Sequence, residues 1–174
     1  VVLDLTNVLS GPFATQILSD LGAEIIKVEK PNGDDSRKFG PFIKKRSSYF
    51  ISLNRGKKSI ILDFKNNDDK KIFKKLLSIS DVIIDNFKPG TLEKYGFSSS
   101  YLKKNFPSLI QTKISGFGET GPLKGNPAYD MIVQAMGGIM SITGKNKNET
   151  YRVGSSVGDI VAGLYAVIGV LTQI

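Results

Sequence analysis

Residues 1–29 read VVLDLTNVLSGPFATQILSDLGAEIIKVE, and this stretch decides the fold. Residues 1–5 are a short apolar run rich in β-branched side chains, which predicts a buried strand. Pro12 suits the first turn of a helix, the apolar residues after it recur at helical spacing, and Gly22 ends that helix. Because residues 25–29 predict a second strand, the stretch is a βαβ unit of about 30 residues.

The alternation of strands and helices continues along the chain. Residues 59–62, 81–85 and 109–115 predict further strands, residues 66–80 predict an amphipathic helix, and residues 31–46 predict a loop. This order indicates an α/β fold with a mainly parallel sheet and flanking helices. Ligands of such sheets bind beyond the carboxyl ends of the strands, so the loops after the strands are the candidate binding segments.

The composition excludes several kinds of chemistry within these 174 residues. The sequence has no His and no Cys, which rules out a Ser-His-Asp triad, an imidazole base, a thiolate nucleophile and a disulfide, and no metal site is predicted. Chemistry must therefore use carboxylates, Lys, Arg, Tyr, hydroxyls, amides or backbone groups. The formal net charge of +8 indicates an anionic partner such as a nucleotide, although a biased base composition would give the same excess.

The sequence predicts a soluble, cytoplasmic protein without membrane contact. It opens with no basic segment ahead of an apolar run. Its longest apolar run, residues 160–171, is shorter than the roughly 20 residues that span a bilayer. Because the chain starts inside a predicted strand and ends inside a predicted helix, we expect it to be a fragment of a longer protein.

Asp159 is the most suggestive single residue. It lies in GSSVGDIVAG, residues 154–163, at the head of a mostly apolar helix predicted over residues 157–174. The helix dipole stabilises a carboxylate near a helix N-terminus, so this position alone fits a purely structural role. Small neighbouring residues nevertheless leave room for a substrate, and a carboxylate is one of the few nucleophiles open to a chain without His or Cys.

Six blocks of sequence resemble, in order, class III CoA-transferases, the family of formyl-CoA and carnitine CoA-transferases. The blocks are LDLTNVLSGPFATQILSDLGAEIIKVEKPNGDDSR at 3–37, SLNRGKKSIILDFK at 52–65, DVIIDNFKPGTLEKYGF at 81–97, ISGFGETGP at 114–122, NPAYDMIVQAMGG at 126–138 and GSSVGDIVAGLYAVIGVL at 154–171. The resemblance implies a Rossmann-like sheet that binds CoA, with residues 1–174 as the N-terminal portion of the large domain. It also implies an interlocked homodimer that binds acyl-CoA thioesters and small carboxylic acids, and no nucleic acid.

The resemblance places the family's catalytic aspartate at Asp159. Its carboxylate would attack the donor acyl-CoA to form a mixed anhydride, an aspartyl-CoA thioester would follow, and the acceptor acid would leave as its own CoA thioester. The implied CoA contacts are Leu9, Ser10, Arg37, Leu62, Asp63, Phe64, Lys65, Asn86, Phe87, Lys88, Lys94, Asn126, Pro127, Ala128 and Tyr129. Lys94 stands where some relatives have Arg, so a point charge would replace a bidentate fork.

Two alternative functions remain open. The α-methylacyl-CoA racemases form a branch of the same family and need a His-Asp pair to move a proton at the α-carbon. Tyr129 occupies the position of that His, and because an ordinary tyrosine has a pKa of about 10, transfer is favoured over racemisation. A non-enzymatic basic module that binds nucleotide or RNA would explain the net charge, but the sequence has no RNP motif.

Overall fold

A five-stranded parallel sheet forms the centre of the computed structural model, which describes residues 1–146 and 148–174. The elements are, in chain order, β1 Val2–Asp4, α1 Ser10–Asp20, β2 Ile25–Glu29, β3 Phe42–Ile43, β4 Arg46–Ser47, α2 Ser48–Asn54, β5 Lys58–Ile61, α3 Asn67–Ser78, β6 Val82–Asp85, α4 Ser99–Asn105, β7 Ile110–Lys113, α5 Asp130–Met136, β8 Gly144–Asn146, β9 Glu149–Thr150 and α6 Val157–Leu171. The sheet has the strand order β5-β2-β1-β6-β7, and each neighbouring pair of strands is parallel.

Side chains that alternate along the strands build one apolar core on each face of the sheet. Leu3 and Ile83 contribute to the core covered by α3 and α4. Val2, Val82 and Ile84 contribute to the opposite core, which α1 and α6 cover. Because helices cover both faces, the central strands β1 and β6 are buried and mostly apolar, as is usual for parallel sheets, whereas the edge strands β5 and β7 carry polar residues.

The predicted α/β class, the parallel sheet and the flanking helices are confirmed. The predicted loop over residues 31–46 is wrong in part, since it contains a 3-10 helix at Asp35–Lys38 and the β3–β4 hairpin. No element was predicted from the sequence at α2. Ser47 caps the N-terminus of this short helix, since its hydroxyl oxygen accepts the N–H of Phe50 at 3.0 Å. Segments this short carry too few periodic positions to reveal their structure.

Helix α6 packs closely against α1. A Cβ atom at Gly163 would lie 2.7 Å from the carbonyl oxygen of Ser10 and 3.1 Å from the ring of Phe13. Glycine therefore allows the two helices to approach, and this contact holds the middle of α6 beside the first turn of α1. Among the described residues, none of the helices combines the length and apolar character that a bilayer crossing requires.

Gly163→Ala is expected to destabilise the full-length protein by about 1–3 kcal/mol, because the new methyl group overlaps backbone that cannot swing aside. Gly169 lies on the same helix with open space around its Cβ position, so Gly169→Ala is the matched control. That control should be neutral or stabilising by up to about 1 kcal/mol. Urea denaturation measures the difference, and equal midpoints for the two variants would contradict the close helix contact.

Candidate functional site

A cavity of about 510 Å³ opens at the carboxyl edge of the sheet. Two of its walls are the loop between β1 and α1 and the loop after β6. The others are the two ends of the loop that leads from β7 to α5, and the first turns of α5 and α6. The volume lies within the roughly 300–1,000 Å³ typical of small-molecule sites. Ligands of parallel α/β sheets bind at this edge, so the cavity is the candidate site.

The cavity brings together ten of the sequence-predicted site residues. Those that line it are Leu9, Ser10, Asn86, Phe87, Lys88, Asn126, Pro127, Ala128, Tyr129 and Asp159. The other six, which lie outside its described lining, are Arg37, Leu62, Asp63, Phe64, Lys65 and Lys94. Phe64 packs its ring against Phe73 and Phe97 in the core, so its observed contacts are structural.

Arg37, which was predicted to meet a phosphate, has a carboxylate partner in this structure. Its Nε and Nη2 atoms donate to Oε2 and Oε1 of Glu29 at 2.7 and 2.6 Å, and its guanidinium lies 3.8 Å from the centroid of the Phe50 ring. Burial opposes ionisation of Glu29, but hydrogen bonds from Arg37 and Ser59 outweigh it and lower the pKa of Glu29 to about 2. The contact between Arg37 and a phosphate stays a prediction.

Asp159 lies in the first turn of α6, half-buried, and lines the cavity. Burial raises the pKa of its carboxyl group above the ordinary value, and the nearby carboxylate of Asp130 raises it further. Shifted pKa values of this kind are typical of functional groups in clefts. A carboxylate of higher basicity is also a better nucleophile once it is ionised, so the arrangement suits covalent chemistry.

Two buried polar side chains on α5 hold the segment that leads into α6. Asp130 accepts the N–H of Gly158 at 2.8 Å through Oδ1 and the side-chain amide of Gln134 at 2.7 Å through Oδ2. Gln134 in turn accepts the N–H of Val153 at 2.7 Å. Because these bonds fix the backbone next to Asp159, they set where its carboxylate lies. Neither side chain was predicted as a site residue. Two polar residues four apart on an otherwise apolar helix lie on one face, and this spacing could have indicated that they act together.

Asn7 and Val8 also line the cavity and were not predicted. The side chain of Asn86 bonds both backbone groups of Asn7, accepting its N–H at 2.9 Å and donating to its carbonyl oxygen at 2.8 Å. Asn86 therefore ties the loop after β6 to the loop after β1. No local pattern could have revealed this pairing, since the two residues are 79 positions apart.

Comparison with known proteins gives consistent findings. The model of CoA-transferase family III matches residues 1–174. An acetyl-CoA:oxalate CoA-transferase from Acetobacter aceti is 47% identical over 99% of this chain and 45% of its own length. A succinyl-CoA:glutarate CoA-transferase from Mus musculus is 46% identical over 95% of this chain and 38% of its own length. A solved structure of a CaiB/BaiF family protein from Brucella suis has a TM-score of 0.94 and 42% identity, and the match covers 99% of this chain and 47% of that protein. This chain thus spans less than half the length of these relatives.

Proposed function

The chain belongs to CoA-transferase family III, and we propose that the full-length protein moves CoA from an acyl-CoA donor to a carboxylic acid acceptor. The observation that carries the proposal is the position of Asp159, a half-buried carboxylate of raised pKa that lines the cavity at the carboxyl edge of the sheet. We further propose that residues 1–174 are the N-terminal portion of a CoA-binding large domain, and that the protein acts as a homodimer.

The proposed reaction proceeds through two covalent intermediates on Asp159. A carboxylate oxygen attacks the carbonyl carbon of the donor thioester, the carbon–sulfur bond breaks, and CoA thiolate leaves a mixed anhydride behind. The thiolate then attacks the aspartyl carbonyl carbon, the donor acid departs as a carboxylate, and an aspartyl-CoA thioester forms. Repeating the two steps in reverse with the acceptor carboxylate yields the new acyl-CoA and frees Asp159. Water must be excluded, because either intermediate would be hydrolysed.

Two groups of cavity residues support a role in CoA binding. The segment 126–129 and the residues Asn86, Phe87 and Lys88 line the same cavity as Asp159. Lys88 brings a positive charge to the wall and is exposed, so it can meet an anionic part of the substrate. We propose that more distant parts of CoA contact residues that do not line the described part of the cavity, namely Arg37, Lys94 and the segment 62–65.

The acceptor is proposed to be a small dicarboxylic acid. The two relatives described above are named for oxalate and glutarate, which are both dicarboxylates. A dicarboxylate offers one carboxylate to the covalent steps and a second one that a cation can bind. Lys88 is the cation among the described residues that line the cavity, so we propose the same side chain for this second carboxylate as for the anionic part of the acyl-CoA.

Chemical trapping tests the covalent step. Full-length protein is incubated with acetyl-CoA or succinyl-CoA in the presence of hydroxylamine, which converts an activated carboxyl group into a stable hydroxamate. We expect a hydroxamate on Asp159, located by peptide mass spectrometry, and none when the acyl-CoA is omitted. Bound CoA with an unmodified Asp159 would contradict the proposal, and exchange of the substrate's α-hydrogen with solvent would then favour an isomerase.

A further inference from the structure

A buried ion pair supports residues 6–8, the segment that carries Asn7 and Val8 of the cavity wall. Nζ of Lys27 lies 3.0 Å from Oδ2 of Asp34, and the two side chains are 1% and 0% exposed. Lys27 also donates to the carbonyl oxygen of Thr6 at 2.7 Å, while Oδ1 of Asp34 accepts the N–H of Val8 at 3.2 Å. Lys27 and Asp34 therefore bond the backbone on both sides of Asn7. The N–H and the carbonyl oxygen of Asn7 itself are bonded by the side chain of Asn86.

Residues 6–8 include a strained backbone conformation that the bonds from Lys27 and Asp34 help to hold. Val8 has a φ of 68°, in the left-handed region that a β-branched residue rarely adopts. Strained backbone of this kind persists only where the surrounding structure imposes it, and it is concentrated at functional sites. Val8 lines the same cavity as Asp159, so the strain lies in the wall of the candidate site.

We propose that Lys27 and Asp34 are positioning residues that hold Thr6, Asn7 and Val8 where the acyl-CoA must meet Asp159. The inference rests on the proposed function. A neutral pair of similar volume can stabilise a fold as well as a buried ion pair does, so stability alone does not require these charges. Only a donor and an acceptor at these two positions can bond the Thr6 carbonyl and the Val8 N–H. A displacement of about 1 Å in a reacting geometry can slow a reaction by about 100-fold.

The test uses the double variant Lys27→Met/Asp34→Asn in the full-length protein. It removes both buried charges at nearly constant volume, so neither charge is left unpaired as it would be in a single variant. The methionine that replaces Lys27 can no longer donate to the Thr6 carbonyl, while the amide oxygen of Asn can still accept the N–H of Val8, so the Thr6 bond is the support that is lost. Single-turnover formation of the Asp159 hydroxamate at saturating donor gives a rate constant and an amplitude. We expect the rate constant to fall at least about ten-fold while the amplitude stays complete.

A purely structural role predicts a different result. Partial unfolding lowers the amplitude, because fewer molecules react, and leaves the rate constant of the folded molecules unchanged. Leu77→Ala is the matched control, since Leu77 is buried in the core on α3, away from the cavity. A double variant whose rate constant equals that of Leu77→Ala would overturn the inference.

Hydrogen exchange separates this inference from the proposed function. The double variant is expected to accelerate amide exchange in a peptide that contains residues 6–8 more than in the rest of the sheet, whereas Leu77→Ala, which lowers global stability, raises exchange without favouring that peptide. Unchanged exchange in that peptide would overturn the positioning inference whatever the activity. If the wild-type protein formed no hydroxamate at Asp159 but the double variant still exchanged faster than the wild type at residues 6–8, the proposed function would be overturned and the support of residues 6–8 by Lys27 and Asp34 would stand.

Discussion

Asp159→Asn is expected to lower CoA transfer in the full-length protein by about 10⁴-fold or more, the scale on which removal of a covalent nucleophile acts. The amide has nearly the shape of the carboxylate but cannot be acylated to a reactive anhydride. Because only the nucleophile is lost, the affinity for CoA should be nearly unchanged. Chromatography of the acyl-CoA products measures the transfer, and equilibrium binding of CoA measures the retained affinity.

Asp130→Asn is the matched control for this prediction. Asp130 lies close enough to raise the pKa of Asp159, but its oxygens are already bonded to Gly158 and Gln134. The amide oxygen of Asn can still accept the N–H of Gly158, and only the bond from Gln134 is lost, so we expect a much smaller loss of activity. If Asp130→Asn abolished transfer while Asp159→Asn retained it, the nucleophile would have been assigned to the wrong carboxylate.

The fold could be predicted from sequence because its signals are local. Residues 1–29 contain a complete βαβ unit, and its Pro and Gly mark the helix ends by their own backbone preferences. The location of the cavity follows from the same pattern, since the loops after parallel strands meet at one edge. Asp159 could be singled out because its neighbours are small and the chain lacks His and Cys.

The supports behind the site could not be predicted. Lys27 lies in the strand sequence IIKVE, where a lysine is ordinarily expected on an exposed position, yet its side chain is 1% exposed. The partners that make its burial possible, Thr6 and Asp34, come from two different loops. For the same reason Arg37 was predicted to bind a phosphate, because its bond to Glu29 spans eight residues and depends on the 3-10 helix that contains Arg37.

Asp4 and Lys57 form the second buried ion pair of the described chain, and it anchors α1 to the sheet. Oδ2 of Asp4 lies 3.1 Å from Nζ of Lys57 and accepts the hydroxyl of Thr15 at 2.7 Å. Burial opposes ionisation of Asp4, but the charges of Lys27 and Lys57 outweigh it and lower the pKa of Asp4. Burial lowers the pKa of Lys57 to about 8, against the attraction of Asp4. At neutral pH both members of the pair are therefore charged.

Asp4→Asn is expected to destabilise the full-length protein by about 3–5 kcal/mol at pH 7, because it leaves the buried ammonium of Lys57 without a counter-charge. Asp20→Asn, which removes the exposed partner of Arg55 at the end of α1, is the control and should cost less than about 1 kcal/mol. Urea denaturation of both variants measures the difference.

The effect of Asp4→Asn should be largest between about pH 4 and pH 8. The folded-state pKa of Asp4 is lowered, so its ionisation contributes stability above the unfolded value of 3.8, and this contribution is lost as pH falls through the folded-state pKa. Above about pH 8 Lys57 loses its proton in the folded protein, and the attraction is lost there too. Adding Lys57→Met to Asp4→Asn removes the unpaired charge and should recover most of the stability. A loss for Asp4→Asn no greater than that for Asp20→Asn at pH 7 would mean that the pair is not ionised in the folded protein.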